Sequence, residues 1–471
     1  MMFSDQEEEN FNLSLSKFES MLKSNKVLFF DSEEFENIVL HYLDDGKINL
    51  SKKALKLGLE QHPDSIGLML VKVELLVFEN KFEDGFEIVR RLKKLDPNNE
   101  EIYIQEANLY SKKGLHTQAI KSLDIALKHT DNEADVYSLM AMEYLYMDEL
   151  SSAKYFFTKC LKLDPEDQSS LYNVIHCYDF LNQPQESIQF LEKFIDQNPY
   201  NEVAWHQLGR KYVEVQDYPK AIQAFDFAYV IDDDFIGALI EKAKVYEKIK
   251  QYDKAILTYK EGLEIDNDSA FIYWRIGRCY EYQHKTNEAA LQYVKSLKHD
   301  VLFEKSWLSI IDLYANIGNL DKAKLYVEEA LELDDENPLY WRKLRDISIG
   351  RNEGLRAHQA CEKLAKYGDL QLNDWMAWAD VEIWVNENLN YAIELLLQIE
   401  EKYQNSSEID YRLAGIYFEC GENEKAVYRL QNAMMTNFYS GIEAFQKLFP
   451  DVWKRTDVQQ YIENYKSRMD D

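Results

Sequence analysis

The chain has 471 residues, of which 46% are hydrophobic and 13% aromatic, and its 84 acidic residues outnumber the 54 basic ones to give a net charge of −30. This acid excess favours solubility and disfavours general binding to nucleic acids or to anionic membrane surfaces. No apolar run approaches the roughly 18 residues of a membrane span, and the acidic first residues, MMFSDQEEEN, are unlike a signal peptide. We therefore expect a cytoplasmic protein.

The N-terminal stretch is predicted to begin without structure and then to form one helix. Residues 1–10 are strongly acidic and repel one another. Apolar residues then recur at helical spacing, at Phe11, Leu15, Phe18 and Leu22. We expect residues 1–31 to form an acidic start followed by a capping helix.

The cysteines form neither a metal-binding nor a disulfide pattern. They are odd in number and scattered along the chain, at Cys160, Cys177, Cys279, Cys361 and Cys420. We expect buried thiols in a protein of a reducing compartment.

One stretch, residues 202–235, shows the pattern that recurs along the rest of the chain. It reads EVAWHQLGRKYVEVQDYPKAIQAFDFAYVIDDDF and predicts two short helices separated by Gln216 and Asp217. Each helix carries one stripe of apolar or small residues: Trp205, Leu208, Gly209 and Tyr212 on the first, and Ala221, Phe225 and Ala228 on the second. Because one such pair cannot bury its own apolar face, the pattern implies neighbouring pairs.

The spacing Trp205-x-x-Leu208-Gly209-x-x-Tyr212, followed by Ala221-x-x-x-Phe225, resembles the signature of the tetratricopeptide repeat family. The resemblance implies an all-α, right-handed superhelical solenoid of about twelve helix-turn-helix repeats with capping helices at both ends. The equivalent residues recur at a period of 34 and frame repeats at 32–65, 66–99, 100–133, 134–167, 168–201, 202–235, 236–269, 270–303, 304–337, 338–371, about 372–406, and 407–440. On this interpretation residues 32–440 form the solenoid, and residues 441–471 form two C-terminal capping helices.

The second, tenth and eleventh repeats match the pattern poorly. They carry Leu76, Ser348 and Glu382 where tyrosine is expected, and the eleventh has one extra residue before Ala392. We expect an irregular join near residues 345–390.

Members of the family are generally scaffolds, and the first helix of each repeat lines a concave groove that binds partner segments. The sequence has no glycine-rich phosphate loop, no nucleophile elbow, no His/Cys metal spacing and no paired-carboxylate signature. We therefore expect a non-enzymatic protein without a cofactor or metal, whose partner is a protein or a peptide.

Candidate groove residues are found by reading the ninth residue of successive repeats. They are Glu74, Asn108, Met142, His176, Arg210, Lys244, Arg278, Asp312, Asp346 and Asp380, in which a run of cations precedes a run of anions. With neighbouring residues on the same helices, the predicted partner-binding groove of repeats 5–8 contains Tyr172, His176, His206, Arg210, Lys244, Trp274, Arg275, Arg278 and Lys305. Because Lys and Arg hold carboxylates and phosphates by charge-assisted hydrogen bonds, the expected ligand is an extended acidic or phosphorylated segment.

Other interpretations compete with groove binding. The column can instead be an internal ladder of salt bridges, in which Glu241 and Glu281 neutralise Lys244 and Arg278. The protein can also be an assembly subunit that binds through its convex face or its C-terminal cap, which exposed cap aromatics would favour: Phe438, Tyr439, Phe445, Phe449 and Trp453. The net charge disfavours an RNA-associated helical-repeat factor. We expect a monomer or a subunit of a hetero-complex.

Overall fold

The computed structural model describes residues 5–24, 28–368, 370–385 and 387–469, and in this part of the chain the regular structure is entirely helical. The all-α fold predicted from the repeat pattern is confirmed. The chain divides into two compact units, residues 1–238 and residues 239–471, which we name unit 1 and unit 2.

Unit 1 is a series of helices that pack against their neighbours along the chain. After α1, each predicted repeat supplies a first helix, a tight turn and a second helix that packs on the first. The helices are α1 (Asp5–Ser24), α2 (Ser32–Asp44), α3 (Ile48–Gln61), α4 (Ile66–Phe78), α5 (Phe82–Leu95), α6 (Glu100–Lys112), α7 (His116–Ala126), α8 (Glu133–Tyr146), α9 (Leu150–Leu163), α10 (Gln168–Phe180), α11 (Pro184–Gln197), α12 (Glu202–Glu214) and α13 (Tyr218–Ile231). The boundary between the units falls inside α14 (Ile236–Lys248).

The turn inside each helix pair contains a residue with positive φ. Gly46 and Gly114 have φ values of 68° and 73°, a region that glycine adopts without strain. Other repeats of unit 1 place non-glycine residues at this point with φ between 54° and 62°: Asn80, Asp148, Asn182 and Gln216. Asparagine and aspartate tolerate this conformation better than most side chains, so the turn signal persists where glycine is missing.

Asparagine side chains cap several first helices. The Oδ1 atom of Asn99 accepts a hydrogen bond from the backbone N–H of Glu101 (3.1 Å), and that of Asn201 accepts one from Ala204 (2.8 Å). Both asparagines stand at the last position of their predicted repeats. Such a cap satisfies an otherwise unpaired N–H group of the first turn and is typically worth about 1 kcal/mol.

The N-terminal helix α1 starts at Asp5. The predicted disorder covers residues 1–10; residues 1–4 lie outside the described part of the chain, and residues 5–10 are helical instead of disordered. Phe18 of α1 is fully buried, with its ring centre 6.0 Å from that of Phe30 and 6.2 Å from that of Phe35. The apolar stripe of α1 therefore packs on α2.

Unit 2 continues the pairing and contains two irregular segments. Its helices are α15 (Tyr252–Ile265), α16 (Ala270–Tyr282), α17 (Thr286–His299), α18 (Glu304–Asn316), α19 (Leu320–Leu333), α20 (Pro338–Gly350), α21 (Gly354–Tyr367), α22 (Leu372–Asp380), a π-helix (Val381–Val385), α23 (Leu389–Glu400), α24 (Ser407–Glu419), α25 (Asn423–Asn437), α26 (Ile442–Leu448), α27 (Pro450–Trp453) and α28 (Thr456–Met469).

The first irregular segment lies where the sequence predicts a poor join. Helix α22 passes directly into the π-helix, whose wider turn accommodates one extra residue. The insertion before Ala392 is thus absorbed within helical structure, and Ala392 keeps its fully buried place in α23.

The second irregular segment is the C-terminal cap. The sequence predicts two helices here, but the first of them is interrupted, which gives α26, α27 and α28. Pro450 has no N–H to donate and restricts the backbone of Phe449, so a new helix starts at Pro450. Phe449 is fully buried in the same core cluster as Phe445.

The aromatic residue near the start of a repeat has a structural partner. The indole N–H of Trp205 donates to the carbonyl of Pro199 (2.9 Å), and that of Trp341 donates to the carbonyl of Asp335 (2.6 Å). Each ring therefore fixes the loop that leads into its own repeat. This favours packing over ligand binding for these two rings.

The cysteine prediction is correct at four positions and wrong at one. Four side chains are buried, but Cys420 is exposed. Cys420 lies at the C-terminal end of α24, beside the turn at Gly421. The side chains of a turn point away from the helix pair, so packing does not cover this thiol.

Candidate partner-binding surface

Helices α6, α8, α10 and α12 are first helices of consecutive repeats, so residues 34 apart hold equivalent places on them. Within a helix, residues three, four and seven apart share one side. The predicted residues Tyr172, His176 and Arg210 therefore lie on equivalent sides of α10 and α12. We name this side the first-helix face of unit 1.

Aromatic rings are open to solvent on the first-helix face. Tyr172 is 44% exposed, and the ring centre of His176 lies 4.4 Å from that of Phe180, which is 67% exposed. On α8, Leu139 and Tyr146 are 40% and 59% exposed. Large apolar side chains grouped on neighbouring helices commonly mark an interaction surface.

A depression of about 300 Å³ lies between α6 and α8 on this face. Its lining includes Ile104, Asn108, Leu139, Met142 and Tyr146. Asn108 and Met142 belong to the column read from the sequence. Tyr146 and Phe180 stand at the thirteenth position of their repeats and were missed, because the predicted groove residues come from the second, fifth, sixth and ninth positions.

Arg210 is exposed at the end of this surface. Its Nη1 atom donates to Oε1 of Gln207 at 3.3 Å. Across the described ranges of the chain, no carboxylate lies within ion-pair distance of its guanidinium. In a chain with a net charge of −30, such a guanidinium is available to an acidic ligand.

His206, predicted beside Arg210, lies inside the packing of its repeat. Its ring centre is 5.6 Å from that of Phe225 and 5.0 Å from that of Phe235, and both ring nitrogens are shielded from solvent. The His206 side chain therefore packs α12 within its repeat and is not placed to contact a ligand.

Two of the basic residues predicted in unit 2, Lys244 and Arg278, have acidic neighbours on their own helices. The Nζ atom of Lys244 lies 2.7 Å from Oε1 of Glu241, and Nε of Arg278 lies 3.9 Å from Oε2 of Glu281. Both pairs are partly exposed, so each contributes little to stability and can exchange its partner.

Arg275 is more enclosed than these two cations. Its Nε donates to Oε1 of Glu247 (2.9 Å) and to the hydroxyl oxygen of Tyr259 (3.0 Å). Burial alone would lower the pKa of Arg275, but Tyr259 and Glu247 outweigh it and raise that pKa. The guanidinium thus stays charged as part of the packing between neighbouring helices.

Trp274 is only 8% exposed, and its indole N–H donates to Oγ of Ser309 (2.9 Å). The charged groups of Arg275, Arg278 and Lys305 lie 5.3 to 5.8 Å from the ring. These are cation–π distances. The indole therefore holds three cations together and is not an open aromatic anchor.

Each of the three aspartates of the predicted column is paired with a cation. The pairs are Asp312 with Lys343 (2.6 Å), Asp346 with Arg345 (2.8 Å) and Asp380 with Arg412 (2.6 and 2.8 Å). Two of the cations come from the following repeat. Within unit 2, the charges are therefore arranged as the salt-bridge interpretation expects.

The cap aromatics point mostly inward. Phe445 and Phe449 are fully buried, Phe438 is 5% exposed and Trp453 is half-buried. Tyr439 alone of the five is open, at 75% exposure. The aromatic exposure that would favour docking on the C-terminal cap is therefore present at a single residue.

Among the described residues, no group of three or more His, Cys, Asp or Glu side chains is placed to hold a metal ion. No helix in the described ranges combines the length and the apolar character needed to cross a membrane.

The stacked helix pairs define a helical-repeat protein. Three of these pairs are tetratricopeptide repeats, since the model of that family matches residues 134–167, 236–269 and 305–337. Two of these segments coincide with predicted repeats, and the third starts one residue later. The family resemblance read from the sequence is confirmed. Repeats of this type are typical of non-enzymatic proteins that bind other proteins.

Known relatives match only part of the chain. TPR repeat-containing protein YpiA of Bacillus subtilis is 26% identical over 152 residues, which are 31% of this chain and 35% of that protein. Anaphase-promoting complex subunit 3 of Schizosaccharomyces pombe is 25% identical over 150 residues, which are 32% of this chain and 23% of that protein. The match thus spans about a third of the first relative and less of the second.

Solved structures with similar helices include Naa15/Naa10 bound to HypK-THB. That match covers 91% of this chain and 67% of the other, at 14% identity and a TM-score of 0.39. The MamA protein matches 36% of this chain and 91% of its own, at 23% identity and a TM-score of 0.31.

Proposed function

We propose that this protein is a non-enzymatic scaffold whose first-helix face in unit 1 binds an extended segment of a partner protein. One observation carries the proposal: exposed aromatic and aliphatic side chains are grouped on α8 and α10, and the next first helix carries an arginine with no carboxylate partner in the described chain. The residues are Leu139, Tyr146, Tyr172, Phe180 and Arg210.

The chemistry of this face indicates what the segment would contain. Burying one large apolar side chain of the partner against Tyr172 and Phe180 would contribute about 1.5–3 kcal/mol. A carboxylate or phosphate on Arg210 would add a charge-assisted hydrogen bond worth about 1.5–3 kcal/mol once water is excluded. The proposed ligand is therefore an acidic or phosphorylated segment with an apolar residue close to the charge.

The predicted cations of unit 2 form a second, weaker part of the proposal. Lys305 has no carboxylate within ion-pair distance in the described chain, and Arg278 is 3.9 Å from its acidic neighbour. Lys244 would have to exchange its 2.7 Å contact with Glu241 to bind a ligand. Ligand contacts here would compete with existing ion pairs, which lowers their contribution.

The proposed setting is the cytoplasm, and the proposed form is a monomer or a subunit of a hetero-complex. Support comes from the acid excess and from the five cysteines, which are all free thiols. The same acid excess makes nucleic acid an improbable partner.

The test is affinity capture from the native cell lysate followed by direct titration of the captured protein. One variant, Tyr172→Ala/Phe180→Ala/Arg210→Glu, removes the proposed contacts in unit 1. A second, Lys244→Glu/Arg278→Glu/Lys305→Glu, reverses the cations of unit 2. Lys298→Glu is a control for general charge, because this lysine is exposed on the second helix α17. Circular dichroism verifies that each variant is folded.

We expect the unit 1 variant to bind the partner at least about tenfold more weakly than the wild type, which corresponds to about 1.4 kcal/mol. The unit 2 variant should lose less, and the control should match the wild type. Undiminished binding by a folded unit 1 variant would show that the partner docks elsewhere.

A further inference from the structure

A second groove, of about 380 Å³, lies between the second helices α9 and α11 of unit 1. Its lining combines an apolar floor with a polar rim. The floor includes Leu161, Phe190 and Phe194, and the rim includes Lys162, Lys193 and Gln197. A groove of this size accepts one or two side chains of a ligand.

The sequence explains why packing is unusual at α11. The twenty-seventh residue of repeats 3 to 8 is Ala, Cys, Phe, Ala, Gly and Ser, so that Phe194 replaces a small residue. The eighth residue of the same repeat is Ile175, where the neighbouring repeats on both sides have Ala or Gly. Both side chains are buried. Their volume keeps α10 and α11 apart, and α11 packs less closely on α10 than α9 does on α8.

The floor of the groove is a stacked pair of rings. The ring centres of Phe190 and Phe194 are 6.1 Å apart with planes inclined by 26°, and Phe190 also lies 5.8 Å from Tyr178. Phe194 is buried, whereas Phe190 is half-buried and reaches the groove surface. Rings fixed by their neighbours lose little freedom when a ligand covers them, which favours binding.

The rim is cationic. Lys162 and Lys193 are exposed, and throughout the described ranges neither has a carboxylate within ion-pair distance or an aromatic ring beneath its ammonium group. The groove on the other side of α11, towards α13, has Glu192 and Asp196 of α11 in its lining, together with Lys220 of α13. Within α11, Lys193 therefore lies on the side that faces α9, and these two carboxylates lie on the side that faces α13.

We propose that the groove between α9 and α11 is a second docking site, for a short acidic segment of a partner protein. An apolar side chain of the segment rests on Phe190, and neighbouring carboxylates contact Lys162 and Lys193. Charge complementarity selects this occupant, because two lysines without acidic partners border the apolar floor in a chain with a net charge of −30. The site is formed by second helices, so it is separate from the first-helix face of the same unit.

Peptides of defined charge test the proposal on the full-length chain. The probes are fluorescein-labelled decapeptides in which a central leucine or phenylalanine is flanked by aspartates and glutamates. The matched probes carry asparagine and glutamine in their place. Fluorescence anisotropy at low salt measures binding to the wild type, to Lys162→Glu/Lys193→Glu, to Phe190→Ala and to Arg210→Glu.

A matched charge-reversal variant, Lys94→Glu/Lys298→Glu, separates local from general electrostatics. Lys94 and Lys298 are exposed and hold the same repeat position as Lys162, but in repeats without this groove. We expect the acidic peptides to bind the wild type and this control alike, and to bind Lys162→Glu/Lys193→Glu at least about tenfold more weakly. Phe190→Ala should weaken binding, and the amide peptides should bind poorly throughout.

Several outcomes would overturn the proposal. They are equal weakening in both charge-reversal variants, equal binding of acidic and amide peptides, and no acidic peptide binding more tightly than about 1 mM. Loss of binding in Arg210→Glu but not in Lys162→Glu/Lys193→Glu would assign the peptides to the first-helix face, which overturns this inference and leaves the proposed function standing. Self-association in analytical ultracentrifugation that Lys162→Glu/Lys193→Glu abolishes would make a second copy of the chain the occupant.

Discussion

The ring of Phe449 lies directly over Gly415, so closely that a Cβ atom added to Gly415 would overlap the ring carbons. Gly415 is in the middle of α24, and Phe449 ends α26 of the cap with no exposed surface. The cap is therefore seated on the last regular first helix through a contact that only glycine permits.

Gly415→Ala tests this contact, because the sign of its effect on the free energy of unfolding depends on it. In an ordinary helix, glycine to alanine is stabilising by about 0.5–1 kcal/mol. Here the methyl group displaces a buried ring, and we expect a loss of about 1–3 kcal/mol in thermal or urea unfolding of the chain. As a control, Gly350→Ala meets only one methyl group of Leu320 and should change stability by less than about 0.5 kcal/mol. A stabilised Gly415→Ala protein would contradict the packing described here.

A buried ion pair joins the tenth and eleventh repeats. Asp374 accepts hydrogen bonds from Arg342 (2.8 Å) and Arg345 (2.9 Å), and its side chain is 6% exposed. Asp374→Asn removes the buried partner of Arg345, which keeps only the exposed carboxylate of Asp346, so we expect it to lower stability by about 3 kcal/mol. Asp321→Asn, at a pair whose carboxylate is 84% exposed, should cost less than about 1 kcal/mol. Equal effects in calorimetry of the two variants would contradict the burial of Asp374.

The same carboxylate predicts a dependence on pH. Burial alone would raise the pKa of Asp374, but the hydrogen bonds from Arg342 and Arg345 lower it from 3.8 to about 2. A group whose pKa is lower in the folded state stabilises that state above its unfolded pKa and loses this contribution as the pH falls through its folded pKa. We expect the difference in melting temperature between the wild type and Asp374→Asn to be full at about pH 7 and to shrink between about pH 4 and pH 2. A difference that stays constant over this range would argue against the shift.

Arg210 and Arg275 were predicted to act together, but their surroundings differ. Arg275 is bonded to Glu247 and Tyr259 between packed helices, whereas Arg210 is exposed. We expect Arg275→Ala to lower the free energy of unfolding by about 2–3 kcal/mol, since it leaves the partly buried carboxylate of Glu247 with the hydroxyl of Tyr259 but without its cation. Arg210→Ala should change it by less than about 0.5 kcal/mol. Chemical denaturation of both variants is the measurement, and a destabilised Arg210→Ala would remove the basis for a free ligand contact there.

Thiol labelling separates Cys420 from the other cysteines. Burial raises the pKa of Cys160 and of Cys177 to about 11 and that of Cys361 to about 12, which suppresses the reactive thiolate. Cys420 is exposed. We expect iodoacetamide to add a single group to the folded chain in intact-mass spectrometry, and none to Cys420→Ser at the same exposure time. Rapid labelling at a second cysteine of the native protein would contradict the burial of that thiol.

The fold could be predicted from the sequence to a large extent, because its signals are local. The positions of Gly209, Tyr212 and Ala221 recur with a fixed period, and each signals its element through side-chain size or backbone freedom. The insertion before Ala392 was visible as a break in that period. The sequence did not show how the extra residue is accommodated, because a π-helix and a longer loop can each hold it. The interruption of α26 was signalled by Pro450 and was overlooked.

The candidate surface was predicted only in part. Tyr172, His176 and Arg210 lie on equivalent sides of their helices, because helical periodicity fixes the direction of a side chain. Their contact with a ligand stays a prediction. The pairing of charges could not be predicted in this way, because the partners of Arg275 and Asp380 lie on other helices, about one repeat away. Trp274 was read as an anchor, but neighbouring side chains cover its ring.

By itself, then, the sequence of this protein determined the helix pairs, their turns and their repeat frame, since these follow from short-range spacing and from the few residues that tolerate a tight turn. The tertiary structure alone decided which aromatics are covered, which cations are neutralised and where grooves open between helices. The physical reason is that burial and ion pairing are properties of side chains brought together from different repeats, and small changes in volume, such as Phe194 in place of a small residue, alter how neighbouring helices meet.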